Sequence, residues 1–112
     1  MANTKRLTSG LSDEVRATLT IIGANIRLAR KRRKLSVATL AERVFVSSPT
    51  IQKLERGDPT VSLGVLVTTL WILRLDGELK RLAAPELDAV GLQEEIRRLG
   101  PKRRRARDDL DF

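Results

Sequence analysis

Residues 35–57, LSVATLAERVFVSSPTIQKLERG, constrain the fold more than any other part of the chain. Leu40 and Val44 lie one helical turn apart, and Ile51 and Leu54 nearly repeat that spacing beyond a break at Phe45, Val46 and Ser47. Each of two short helices therefore has one apolar stripe to bury. A connection of only a few residues makes them cross steeply and bury those stripes against common neighbours. Ser36 is placed to cap the first helix, which runs from Val37 to about Val44. Ser47 or Ser48 caps the second, and Pro49 falls at its first or second position, where a missing N–H costs nothing. That helix ends near Arg56, because Gly57 is free to take the left-handed conformation and Pro59 forbids continuation.

Two short helices of this kind make a helix-turn-helix, and the second leaves Ser48, Pro49, Gln52, Lys53 and Arg56 facing outward. These side chains are short or hydrogen-bonding, with positive charge toward the end, as suits a helix entering a DNA major groove. The net charge of +8 and a pI near 11.0 point the same way, toward a polyanionic partner. RNA is a weaker match, since Phe45, Trp71 and Phe112 are the only aromatic residues that could stack on bases. Without His, Cys or Tyr the usual nucleophile–base pairs and His-based metal sites cannot be built. No glycine-rich phosphate loop is present. No enzyme activity, metal or cofactor is expected. No apolar run approaches the ~20 residues that span a bilayer, and MANTKRLTSG lacks a signal-peptide core, so a cytoplasmic protein is expected.

Residues 1–11 are polar and aperiodic and read as a flexible arm, within which Lys5 and Arg6 could touch a phosphate backbone. A helix is expected from Ser12, whose hydroxyl can cap it, with Asp13 and Glu14 at the positive end of the dipole. Val15, Leu19, Ile22, Ile26 and Ala29 mark one buried stripe. Gly23 either divides this segment in two, with Thr20 as a second cap, or permits a close packing contact. The segment ends with six cations in eight residues, Arg27 and Arg30 to Lys34, more than helix capping requires. Phosphate contact by some of them, Arg32 and Arg33 foremost, accounts for the excess.

Ser62 can cap a further helix through about Leu73, apolar nearly all round. Such a helix must be covered on more than one side, which a domain of this size cannot do alone. Leu66, Leu70 and Trp71 are therefore the expected contacts of a two-fold homodimer. Glu78 to Ala83 reads as a closing helix stopped by Pro85. Beyond it, residues 87–99 carry a weak helical pattern that Gly100 and Pro101 break. A basic run follows, read as a solvated tail, and then the acidic end DDLDF.

The order helix, LSVATLAERV, turn, SSPTIQKLERGDP and apolar helix resembles the Xre/Cro-type helix-turn-helix repressors over about residues 23–83. The resemblance rests on Leu40 and Ala41, Val46 and Ser47, Thr50 and Ile51, and Glu55 to Gly57 at that family's spacings. It implies an all-α, lambda-repressor-like fold of about five helices over residues 12–84, with residues 85–112 as a C-terminal extension. It also carries base or phosphate contact onto Ser47, Ser48, Pro49, Thr50, Gln52 and Lys53, and leaves Ile51 and Leu54 in the core. The chain departs from the family pattern at Phe45 and Lys34, where glycine is usual, and at Val37, where glutamine often touches a phosphate. Phe45 must then accept a positive φ and bury its ring in compensation, or bend the turn differently. The middle segment SLGVLVTTLWILRLD and the tail further resemble HipB-like antitoxins, which repress their own operon and neutralise a HipA-like kinase toxin. The implied function is an autoregulating, operator-binding repressor with such a toxin as partner; a stand-alone regulator is the alternative.

Overall fold

The protein is described by a computed structural model over residues 10–110. Every regular element among these residues is helical: α1 (Asp13–Arg32), α2 (Val37–Val44), α3 (Ser48–Glu55), α4 (Leu63–Ile72), two 3-10 segments (Asp76–Arg81 and Pro85–Leu87) and α5 (Ala89–Leu110). The residues fall into two compact units divided between Gly77 and Glu78. Lys5, Arg6 and the last two residues of DDLDF lie outside the described residues.

In the first unit every helix opens on a serine. The hydroxyls of Ser12, Ser36, Ser47 and Ser62 accept the N–H of Val15, Thr39, Thr50 and Val65 respectively, at 3.0 to 3.4 Å. Each gives an acceptor to one of the four backbone donors that a helix start leaves without an intrahelical partner. Helix α3 is thus capped by Ser47, with Pro49 as its second residue.

The same helices also share one way of stopping. The residues after them adopt the left-handed conformation at Lys34 (φ 55°), Phe45 (φ 65°), Gly57 (φ 78°) and Arg74 (φ 61°). The next N–H then reaches back five residues: Leu35 to Arg30, Val46 to Ala41, Asp58 to Lys53 and Leu75 to Leu70, at 2.8 to 3.2 Å. Only one of the four is glycine, and each of the others carries roughly 1–2 kcal/mol of backbone strain. Of the two outcomes open to Phe45, the turn keeps its ordinary shape and the residue takes the strain. The expected burial of its ring does not occur: Phe45 is 93% exposed. A left-handed residue after a helix lies at the rim of the turn, and the inward position here belongs to Val46, which packs against the core.

The core is formed by Ile26 and Ala29 of α1, Leu40, Ala41 and Val44 of α2, Ile51 and Leu54 of α3, and Leu73. It departs from the expected stripe on α1. The helix is continuous, but Val15 is exposed, Leu19 is half-buried and Ile22 is at the margin of exposure. Their period is helical, yet the first turns of α1 run beyond the elements that could cover them. Gly23 serves the close contact rather than a break. A Cβ there would stand 2.6 Å from the Glu55 carbonyl oxygen and 2.7 Å from Leu54 O and Gly57 N. Gly57 answers it, since its own missing Cβ would lie 2.6 Å from Leu19 O. Helix α1 and the end of α3 therefore touch backbone to backbone across two glycines.

Helix α4 buries Thr69 within its span, and Leu73 just past its end is also buried. Val65, Leu66, Leu70 and Ile72 pack against the core half-covered. The opposite stripe, Leu63, Val67 and Trp71 at successive intervals of four, is exposed.

In the second unit the expected closing helix is a short 3-10 segment, and Asp88 accepts the N–H of Gly91 to start α5. Gly100 (φ 68°, ψ 175°) breaks α5 as expected. The backbone of residues 101–110, which include the basic run, is helical.

Candidate nucleic-acid interface

The outer face of α3 is built by burying its inner one. Ile51 is fully enclosed and Leu54 nearly so, which turns Pro49, Gln52 and Lys53 to solvent. Ser48 and Thr50 are half-buried at the start of the helix. The Ser47 hydroxyl is engaged twice, by the Thr50 N–H and by the Thr50 hydroxyl at 3.0 Å. Of the six expected contacts, Gln52 and Lys53 are thus exposed, long and hydrogen-bonding. Ser47 and Thr50 are coupled to each other at the cap. Val37 leans on the core, consistent with an apolar residue replacing a phosphate-binding side chain there.

The basic end of α1 separates into distinct parts. Arg32 is exposed, as are Arg27, Lys31 and Lys34. Arg33 donates to the Ala29 carbonyl at 2.8 Å, so its guanidinium also satisfies the end of its own helix. Arg30 belongs to another class altogether. Its Nε and an Nη donate to the two oxygens of Glu55 at 2.7 and 3.0 Å, and the other Nη donates to the Leu35 carbonyl at 2.8 Å. Both side chains are largely buried. The hydrogen bonds to Glu55 and its charge outweigh desolvation and raise the Arg30 pKa.

This pair ties α1, the following loop and the last turn of α3 into one piece, and it was missed in reading the cluster as capping or phosphate-binding charge. A signal existed. Arg30 follows Ile26 by four residues and Glu55 follows Ile51 by four, so the helical period places both beside buried positions. Arg32 and Arg33 follow Arg30 by two and three residues at the end of α1.

Past Gly57, the loop closes on Asp58, whose carboxylate accepts the Thr60 hydroxyl at 2.6 Å and the Thr60 N–H at 2.8 Å. These bonds, with Lys53 and Arg56 nearby, hold its pKa below the usual carboxylate value. Of the expected dimer contacts, Trp71 stands in the exposed stripe with Leu63 and Val67, whereas Leu66 and Leu70 lie on the half-covered side against the core. Among the described residues, no group of three or more His, Cys, Asp or Glu is placed to hold a metal. No described helix is long and apolar enough to cross a membrane.

No curated protein sequence and no solved structure matches the chain. A family described as "Helix-turn-helix domain" matches residues 21–83, more than half of the sequence. The matched span holds most of α1, all of α2, α3 and α4, and the Arg30–Glu55 pair. Its all-α architecture is consistent with the lambda-repressor-like fold. The chain belongs to the helix-turn-helix domain family, whose members are typically DNA-binding regulators.

Proposed function

We propose that the protein is a sequence-specific repressor that reads operator DNA as a homodimer, with residues 12–84 as the binding and dimerisation domain. The observation that carries this reading is the mounting of α3. Its inner face is sealed by Ile51 and Leu54 and its end clamped through Glu55, while Pro49, Gln52 and Lys53 remain free. Gln52 suits a bidentate contact to adenine, and Lys53 one to guanine or phosphate. Ser47, Ser48, Pro49 and Thr50 complete the surface entering the groove. Arg32 and Arg33 add affinity through phosphates without sequence preference. For the dimer, the exposed Leu63–Val67–Trp71 stripe supports Trp71 as the anchor, flanked by Leu66 and Leu70. Two reading helices so related would meet half-sites ~34 Å apart.

Within this reading the chain takes the place of an Xre/Cro-type, HipB-like antitoxin that represses its own operon in the cytoplasm and holds a HipA-like kinase toxin. The acidic, phenylalanine-tipped end of residues 85–112 supports that partner. A pulldown with the full chain that recovers no kinase would favour the stand-alone regulator.

Binding-site selection tests the DNA contacts. Gln52→Ala should relax preference by ~1–3 kcal/mol at one base pair, whereas Arg32→Ala should weaken all sequences alike. An unchanged preference in Gln52→Ala would remove Gln52 as a base-reading residue.

A further inference from the structure

Phe45 is held in a left-handed conformation that strains a bulky residue, and the turn uses nothing of its side chain. The turn closes through backbone groups alone, Phe45 N–H to the Glu42 carbonyl and Val46 N–H to the Ala41 carbonyl. The ring is 93% exposed, and it is the one exposed large hydrophobic side chain among the described residues between Leu28 and Leu63. Glycine would serve this turn better. A strained residue retained without benefit to the fold points to a contact made with something else.

We infer that Phe45 is an apolar element of the DNA interface, packing its ring against the C5-methyl group of a thymine beside the groove entered by α3. The inference rests on the DNA-reading proposal above. Two observations favour DNA over a protein partner. First, Phe45 stands two residues ahead of Ser47, the cap of the reading helix, and so travels with the end of α3 that leads into the groove. Second, no other exposed apolar residue neighbours Phe45 along the chain. Its sequence neighbours Glu42, Arg43 and Ser47 are polar and exposed, and Val46 is turned inward. A protein interface needs about 800 Å² from each partner and an apolar centre of several residues. A lone ring among polar groups does not meet that requirement, but it does suit a single methyl group on a base edge, a contact that phenylalanine is able to make.

The test compares the full-length wild type with Phe45→Gly and Phe45→Asn, since both replacements tolerate the left-handed conformation. Operator sequences are selected with the wild type. Affinities are then measured by fluorescence anisotropy on the selected duplex and on duplexes carrying deoxyuridine at one thymine at a time. Both variants should melt at higher temperature than the wild type and yet bind the selected duplex about tenfold more weakly, as loss of a partly buried aromatic ring implies. The wild type should lose about fourfold at one deoxyuridine position, the worth of one buried methyl group, and the variants should lose nothing there. Equal or tighter binding by the variants would overturn the inference, as would a deoxyuridine scan identical in wild type and variants or a loss that no thymine governs. Variants that keep full DNA affinity but lose a co-purifying protein would assign the ring to that protein instead. A wild-type chain that selects no duplex would overturn the DNA-reading proposal, and this inference with it.

Discussion

Replacing Gly23 by alanine should destabilise the protein, although helix propensity alone argues the reverse. Gly23 lies inside α1, where alanine is favoured by about 1 kcal/mol over glycine. Against that gain, the added Cβ would meet three backbone atoms at 2.6 to 2.7 Å, where ordinary contact begins at 3.4 Å. None of the three can swing aside as a flexible side chain would. The seam between α1 and the end of α3 must open, and overpacking of this kind costs about 1–3 kcal/mol, with rigid backbone at the upper end. The net effect is a loss of about 2 kcal/mol. For a domain of this size it lowers the melting temperature by roughly 10 °C. Thermal unfolding followed by far-UV circular dichroism measures it. Gly64→Ala is the control, because that glycine also lies in a helix and only the Ser62 hydroxyl, at 3.9 Å, comes near its missing Cβ. There the substitution should leave the melting temperature unchanged or raise it. A Gly23→Ala protein melting at or above the wild type would refute the backbone-to-backbone seam.

Thr69→Val should stabilise the fold by about 1 kcal/mol, because Thr69 is fully buried and its hydroxyl has no hydrogen-bond partner among the described residues; chemical denaturation reads this directly. Glu55→Ala should cost about 3–5 kcal/mol by stranding the buried Arg30 charge. Adding Arg30→Met should recover part of that loss, and a double variant no more stable than the single one would show that the stranded charge is not the cause. The depressed Asp58 pKa makes its ionised form a source of stability above the usual carboxylate pKa, lost as pH falls through the lowered value. Asp58→Asn keeps an acceptor for Thr60 but cannot titrate, so its stability should fall less steeply than the wild type's in the acid range below that of ordinary carboxylates.

The helix starts and stops of the first unit were legible because they depend on local chemistry. The capping serines at residues 12, 36, 47 and 62, and Gly57 with Pro59 past α3, act within one turn of the chain. Features set by distant partners were harder to read. Arg30 sits among five other cations, and only its place one helical turn past Ile26 separates it from them; the carboxylate it meets lies 25 residues away. Val15 and Ile22 keep the period of a buried stripe, but periodicity cannot show whether a neighbour exists to cover it. At α4 the apolar character is nearly uniform, so the sequence could not tell the half-covered Leu66 and Leu70 from the exposed Leu63, Val67 and Trp71. Phe45 illustrates a different limit. Its size suggested burial, whereas its backbone conformation places it on the rim of a turn.

The mounting of α3 also bears on how a protein of this design changes its target. The helix is held by two apolar side chains, by main-chain atoms across Gly23 and Gly57, and by a carboxylate at its last residue. None of these involves Pro49, Gln52 or Lys53. Substitutions on the free face therefore leave the helix seated where it was. On the proposed reading, preference for new base pairs would be acquired one side chain at a time, without compensating changes in the interior.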